Sequence, residues 1–307
     1  MYLFQAALLF LEGFRSNMNE INKDVLRPRA LVLAKRLTNG ISAPTKTQLL
    51  EFANKEDILE KNIEAKHIYK QPMESSTKGK KLFRMHTSTG ISVCEAEECC
   101  IQHYIEQGFY THGQHWEGKI VTAIFFLLFW DIIYSKLRGV SGIFLSYYQM
   151  FPLDMFTESF YSNRKTLIEA RLKEIESFSV EQLLAEMKFV WDSRPEHEHS
   201  PISRMCWESV RGASAALGAR GAAALCARAA RAAACSGFPD LTLWDVRAGE
   251  IAFVEVKTDS DKPSLKQLQW MHYLKSCGLR AEFCYIGVRT DRQRARAPAP
   301  GAARGGD

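Results

Sequence analysis

Residues 236–257 read SGFPDLTLWDVRAGEIAFVEVK. Apolar and polar side chains alternate over Phe238–Trp244 and again over Ile251–Lys257, with Arg247–Gly249 between them. A period of two on both sides of a glycine-containing turn predicts a β-hairpin. Glu255 and Lys257 are two apart, so both side chains leave one face of their strand, while Val254 and Val256 leave the other. A turn centred on Arg247/Ala248 sets Asp240 opposite Glu255, and a turn one residue later sets it opposite Lys257. Either register brings a carboxylate beside the Glu/Lys face. Gly237, Phe238 and Pro239 interrupt the preceding helical pattern and fix the entry to the strand, which marks Asp240 as a placed residue.

Two carboxylates and an ammonium on one sheet face make a hard-oxygen site suited to Mg²⁺ or Mn²⁺. Such a metal lowers the pKa of a bound water and stabilises charge on a phosphoryl oxygen, and Lys257 would hold the attacking water or the developing charge. The competing reading is an Asp–Lys–Glu cluster on an exposed hairpin face, where opposite-charge pairs are common.

Downstream, Pro263–Cys277 reads as a helix with proline in its first turn and Gly278 after its end. Arg280–Val288 is a last strand, and residues 289–307 form an Arg-, Ala- and Pro-rich tail expected to be disordered. Upstream, 212–234 holds 13 alanines in 23 residues and no acid lies between Glu208 and Asp240. It is either a helix with a narrow contact face or a poorly ordered insert. Residues 143–191 read as helices punctuated by Pro152 and Asn163, and 194–201 (RPEHEHSP) as a surface loop. Residues 91–109 form an amphipathic segment ending at Gly108, followed by the His112–Gly118 motif and an apolar helix over 119–135. Residues 1–70 show apolar spacing of helical period, broken at Gly40, Pro44 and Thr45, and 71–81 read as a polar loop. The first part resembles a helical-repeat hairpin without a second copy.

Of the 307 residues, 46% are hydrophobic, enough for a sizeable core, and the net charge is +5. That balance is compatible with a polyanionic partner without requiring one. Eight cysteines, at 94, 99, 100, 206, 226, 235, 277 and 284, contain no Cys-x-x-Cys, which argues against a structural zinc module and fits reduced thiols of cytosol or nucleus. Residues 2–11 lack the basic flank and small-residue cleavage site of a signal peptide. Val121–Trp130 is shorter than the roughly 20 apolar residues of a bilayer span, so it is expected to be a buried helix in a soluble protein with no membrane partner.

The pattern Pro239-Asp240…Glu255-x-Lys257 resembles the PD-(D/E)xK superfamily, whose fold is restriction-endonuclease-like. SGFPDLTLW (236–244), FVEVK (253–257) and KQLQW (266–270), in that order, resemble its VRR-NUC branch. GQHWEG (113–118), FLLFWDIIY (126–134) and FPLD (151–154) resemble the Fanconi-associated nuclease family, over about residues 80–288. The resemblance implies an α/β fold: a helical repeat-like region over 1–80, then a nuclease domain over 81–288 with a helical insert at about 140–235. It also implies a nuclear, structure-specific 5′-flap endonuclease and 5′→3′ exonuclease in interstrand-crosslink repair. Its partners would be branched DNA and DNA-repair proteins. Asp240, Glu255 and Lys257 match the catalytic set and Gln267 the accessory glutamine. Glu117 matches a further metal-binding acid, with the Val256 carbonyl as another ligand. The mostly alanine segment departs from the family pattern. It leaves open a catalytically impaired scaffold of the same fold that binds DNA or protein, and a helical protein-binding adaptor is a second rival.

Other candidates read more simply. His112, His115 and Glu117 lack the Pro-Cys-x-x-Cys partner that zinc deaminase chemistry needs, so the histidines are expected to pack or to line a groove. His197 and His199 are read as solvated. Of the six tryptophans only Trp116, beside Glu117, is considered as a base-stacking platform. Arginines 289, 292, 294, 296 and 304 of the tail are read as solvated, with phosphate attraction as the alternative.

Overall fold

The computed structural model describes residues 2–16, 20–37, 43–53, 63–73, 81–87, 90–137, 144–146, 149–155, 157–193, 202–231, 236–258 and 261–288. In chain order the elements are α1 (Tyr2–Arg15), α2 (Glu20–Arg36), α3 (Ala43–Ala53), β1 (Glu64–Tyr69), β2 (Phe83–Thr87), β3 (Gly90–Cys94), α4 (Ala96–Glu106) and β4 (His112–His115). The second half of the chain adds α5 (Lys119–Ile133), α6 (Glu158–Glu176), α7 (Val180–Ser193), α8 (Trp207–Arg231), β5 (Leu241–Asp245), β6 (Glu250–Thr258), α9 (Leu265–Ser276) and β7 (Arg280–Gly287).

The predicted hairpin is β5–β6, and it lies inside a five-stranded mixed sheet of order β1-β7-β6-β5-β4. Leu241 pairs with Val254 and Asp245 with Glu250, the register of a turn centred on Arg247/Ala248. β4 runs antiparallel to β5, whereas β7 runs parallel to both β6 and β1. A parallel pair needs a crossover, which α9 supplies between β6 and β7. Alternation along β6 divides its side chains between two cores. Ile251 and Phe253 face the helices, with α5, α8 and Trp270 of α9. Ala252, Val254 and Val256 face the other way, with Cys99, Cys100 and Tyr104 of α4 and Phe83 of β2.

Helix α5 is apolar all round because it is buried all round, eleven of its fifteen residues lying in the core. Among the described residues no helix is long and apolar enough to cross a membrane. Asp154 of the FPLD stretch ties the start of α6 to the end of α5. It accepts 2.6 Å from Nη1 of the buried Arg164, whose Nε donates 3.1 Å to the Ile132 carbonyl near the end of α5. Asn163 also donates to Asp154. Residues 212–231 of the alanine-rich segment lie in α8, whose backbone leaves helical geometry at Gly218 (φ 69°, ψ 173°). Its buried positions cover more than a narrow face, because side chains this small let sheet and helices approach closely. A Cβ on Gly212 would stand 2.7 Å from Nε1 of Trp244 in β5.

Several local expectations are corrected. Glu64–Tyr69 is a strand, not helix, so the sheet draws on residues ahead of position 81; its partner β7 is remote in sequence and supplies the pairing that local periodicity does not reveal. Residues 91–94 are extended and pair with β2, so the helix begins only at Ala96. His112–His115 is a strand, held by β5. Asn163 lies inside α6 and does not punctuate it, its side chain being occupied by Asp154. Pro263 precedes the α9 N-cap, Ser264. Residues 74–80, 194–201, 232–235 and 289–307, which hold most of the polar loop, His197, His199 and the tail arginines, lie outside the described residues.

The seat of Trp244 yields a prediction. Gly212→Val should destabilise the fold by about 1–3 kcal/mol through overpacking, read as a lowered urea midpoint, whereas an unchanged midpoint would show that the contact yields freely.

Candidate active site

Asp240 sits where strand β5 begins, and neighbouring backbone fixes it from two sides. Its carbonyl accepts the N–H groups of Trp116 and Glu117, each at 3.1 Å. Its carboxylate Oδ2 accepts the N–H of Val256 at 2.9 Å. The N–H and C=O of one strand residue point to the same side, so the Val256 carbonyl also faces the Asp240 edge. Glu255 and Lys257 flank Val256 and project from the face shared with Phe253. They are 1% and 8% exposed, so an exposed surface cluster is excluded.

Lys257 Nζ donates to Glu255 Oε1 at 2.6 Å. Gln267 Nε2, from the first turn of α9, donates to the same oxygen. Glu255 Oε2 is buried and has no hydrogen-bond donor. Burial pushes the Glu255 carboxyl up to about 8, with the nearby Asp240 charge adding to the rise and Lys257 opposing it. Asp240 is also raised, first by burial, against the lowering effects of the Val256 N–H and Lys257. Glu97 in the first turn of α4 adds to that rise. A buried carboxylate oxygen without a donor, on a residue close enough to Asp240 for the two carboxyls to influence each other, needs either a proton or a cation. The donor set therefore fits a divalent metal of the Mg²⁺ or Mn²⁺ kind.

Asp240, Glu255, Lys257 and Gln267 thus converge, with the Val256 backbone beside them. Glu117 joins by its backbone alone. Its side chain is 64% exposed and stands 3.6 Å from His115 Nε2. Among the described residues no group of three or more His, Cys, Asp or Glu side chains is gathered for a metal. Glu117 has φ +50°, the left-handed region that non-glycine residues rarely occupy. Trp116 is buried and stacks on Trp244 at 5.4 Å, so it is not an open platform for bases. His112 stacks on Trp244 as well, at 5.6 Å. Glu97 was missed by sequence reasoning, its one signal being an acid in the first turn of an amphipathic helix.

Residues 185–286 match the model of the VRR-NUC domain. The chain is 33% identical to mouse Fanconi-associated nuclease 1 over 68% of its own length and 21% of that protein. Against the Arabidopsis thaliana homologue it is 34% identical, over 63% of this chain and 22% of the relative. The chain carries a VRR-NUC domain and is a homologue of the Fanconi-associated nucleases. It spans about a fifth of the length of these curated relatives. Its fold is shared with the crystal structure of paFAN1 bound to 2nt 5′ flap DNA with gap. The TM-score is 0.62 at 18% identity, over 92% of this chain and 49% of that one.

The geometry sets two expected outcomes. Glu255 has a folded-state pKa raised above its unfolded value, so between about 4.5 and about 8 the folded chain holds more protons than the unfolded one. Without metal, stability should therefore fall as pH rises through that window, and Glu255→Gln should lack this part of the slope. Chelator-treated denaturation curves that stay parallel across pH would refute it. Glu117→Gly should raise stability by about 1 kcal/mol by relieving the left-handed backbone, measured as an increase in Tm.

Proposed function

We propose that this chain is a divalent-metal-dependent, structure-specific DNA nuclease. The reading rests on one observation: Asp240, Glu255, Lys257 and Gln267 converge at a buried strand edge within a VRR-NUC domain. The core is read as restriction-endonuclease-like, with α6–α8 as its helical insert and α1–α3 as a repeat-like unit of a separate N-terminal region. The relatives' name supports a nuclease, and the flap DNA in the paFAN1 structures supports a 5′-flap substrate. By the same resemblance we assign 5′→3′ exonuclease activity, interstrand-crosslink repair, DNA-repair protein partners and a nuclear location.

Asp240 and Glu255 would hold Mg²⁺ or Mn²⁺, with the Val256 carbonyl and, after rotation of its exposed side chain, Glu117. When bound, the metal supplies an acidified water and neutralises charge on the phosphoryl oxygens. Lys257 carries its positive charge at Nζ, beside the carboxylates, where it can orient the attacking water or stabilise the developing charge. Water adds to phosphorus, the P–O3′ bond breaks, and the products carry a 5′-phosphate and a 3′-hydroxyl. Gln267 keeps Glu255 Oε1 in place so that Oε2 stays free for the cation. Residues 212–231 of the alanine-rich segment, the reason to consider an impaired scaffold, pack as a helix in the core, which supports the nuclease reading over the scaffold.

Labelled 5′-flap DNA, incubated with the protein in Mg²⁺, Mn²⁺, Ca²⁺ or chelator, tests the reading. Asp240→Ala and Glu255→Ala should each abolish most cleavage and leave salt-dependent DNA binding largely intact, since a carboxylate is not itself a phosphate contact. Lys257→Ala should lower turnover more than metal affinity, with poor rescue by arginine, whose planar fork does not replace a compact charge. Glu117→Gln should cut cleavage by orders of magnitude if its carboxylate reaches the metal. Near-normal cleavage by Asp240→Ala or Glu255→Ala would overturn the assignment.

A further inference from the structure

Gln267 can serve Glu255 only if its amide nitrogen, and not its amide oxygen, points at the carboxylate. A free glutamine side chain has no such preference, because a half-turn of the terminal amide exchanges the two atoms. The first turn of α9 removes that freedom. Ser264 is the N-cap, with its Oγ accepting the Gln267 N–H at 3.4 Å. In return the Ser264 N–H donates to Gln267 Oε1 at 2.7 Å. Only an oxygen can accept from that N–H, so Nε2 is left to face Glu255.

The turn is also seated against the entry to the Asp240 strand. Gly237 has φ +82°, and a Cβ there would stand 2.7 Å from Lys266 Cβ, 2.9 Å from the Lys266 carbonyl carbon and 3.0 Å from the Gln267 nitrogen. Lys266 Nζ reaches Ser236 Oγ at 3.3 Å. The strand entry that sets Asp240 thus sets the position of Gln267 too.

We propose that Ser264 is a positioning residue of the site: the capping box it forms with Gln267 does more than end a helix, because the Ser264 N–H dictates which end of the Gln267 amide meets Glu255, and Gly237 holds that turn at the required distance. The consequence for metal binding rests on the nuclease reading; the orientation of the amide does not.

Ser264→Pro is the informative variant. Ser264 has φ −77°, close to the value proline imposes, and proline removes the N–H. Ser264→Ala removes only the Oγ cap and retains the N–H. Mn²⁺ titrated calorimetrically into the metal-free protein, without DNA, gives the affinity. Loss of an outer partner of a metal ligand lowers affinity by about 10–100-fold, and that loss is expected for Ser264→Pro and for Gln267→Leu. Ser264→Ala should lower Tm while affecting Mn²⁺ affinity much less. The double variant Ser264→Pro/Gln267→Leu should bind no more weakly than Gln267→Leu alone, because Ser264 acts through the glutamine. A further loss in the double variant would show general loosening of the helix and overturn the proposal, as would wild-type affinity in Ser264→Pro.

A second measurement is independent of metal. The Gln267 side-chain amide, identified in ¹⁵N-glutamine-labelled protein by its absence in Gln267→Leu, should exchange slowly with solvent in the wild type and rapidly in Ser264→Pro. Equal exchange in the two overturns the positioning role even if Mn²⁺ binds. Slow exchange lost in Ser264→Pro, in a protein that binds no Mn²⁺, sustains the positioning role and removes the metal reading alone.

Discussion

Strand β6 is buried on both faces and still carries Glu255 and Lys257 in its interior. Charges removed from water are costly unless paired and hydrogen-bonded. Lys257 and Gln267 satisfy one Glu255 oxygen, while the other remains without a donor, and burial raises both the Glu255 and the Asp240 carboxyls. Asp240 is tied to β6 through the Val256 N–H and to the end of β4 through Trp116 and Glu117. Three strands are joined at one residue, and the joint is the place where the carboxylates meet.

Holding such a site requires rigid surroundings, and the two cores provide them from opposite faces of the sheet. On one side α4 and the β2–β3 hairpin cover Val254 and Val256. On the other, α5 and α8 pack behind Phe253 and Trp244. The alanine and glycine content of α8 suits this role, since small side chains let Trp244 lie against the helix backbone. Trp244 in turn carries Trp116 and His112 on stacked rings, so the segment leading to Glu117 is positioned by packing as well as by backbone pairing.

The hairpin, α5, α9 and β7 were legible because each rests on local periodicity or on a turn or cap signal, whereas the hairpin register was only narrowed to two and is decided by the pairing of Leu241 with Val254. Glu64–Tyr69 was not, because its identity as a strand depends on a partner more than 200 residues away. The β2–β3 hairpin was missed for a different reason: its exposed Ile91 and Val93 and buried Phe83 give no clean alternation against the core. Within the site, Glu255 and Lys257 could be placed on one face from their spacing, and Asp240 beside them through either hairpin register. Gln267 and Glu117 came only from family resemblance, since no periodicity links a helix N-terminus or a distant loop to the hairpin. The Ser264-x-x-Gln267 capping box is a visible sequence pattern, yet its significance appears only when the helix is seated on Gly237.

The structure separates the fixed and adjustable parts of the proposed site. The Glu255 and Gln267 side chains are each held by two partners, and Asp240 is held by its carboxylate at the Val256 N–H and by its carbonyl at Trp116 and Glu117. Glu117 is different. Its main chain is fastened to the Asp240 carbonyl in a left-handed conformation, whereas its carboxylate is exposed. Strained backbone persists only where surrounding structure over-determines it, and here the hydrogen bonds to Asp240 do so. Bringing that carboxylate toward Asp240 requires rotation about side-chain bonds, a motion of picoseconds to nanoseconds for an exposed residue. The backbone strain at Glu117 is therefore borne in advance of any side-chain rotation that the proposed cation would draw.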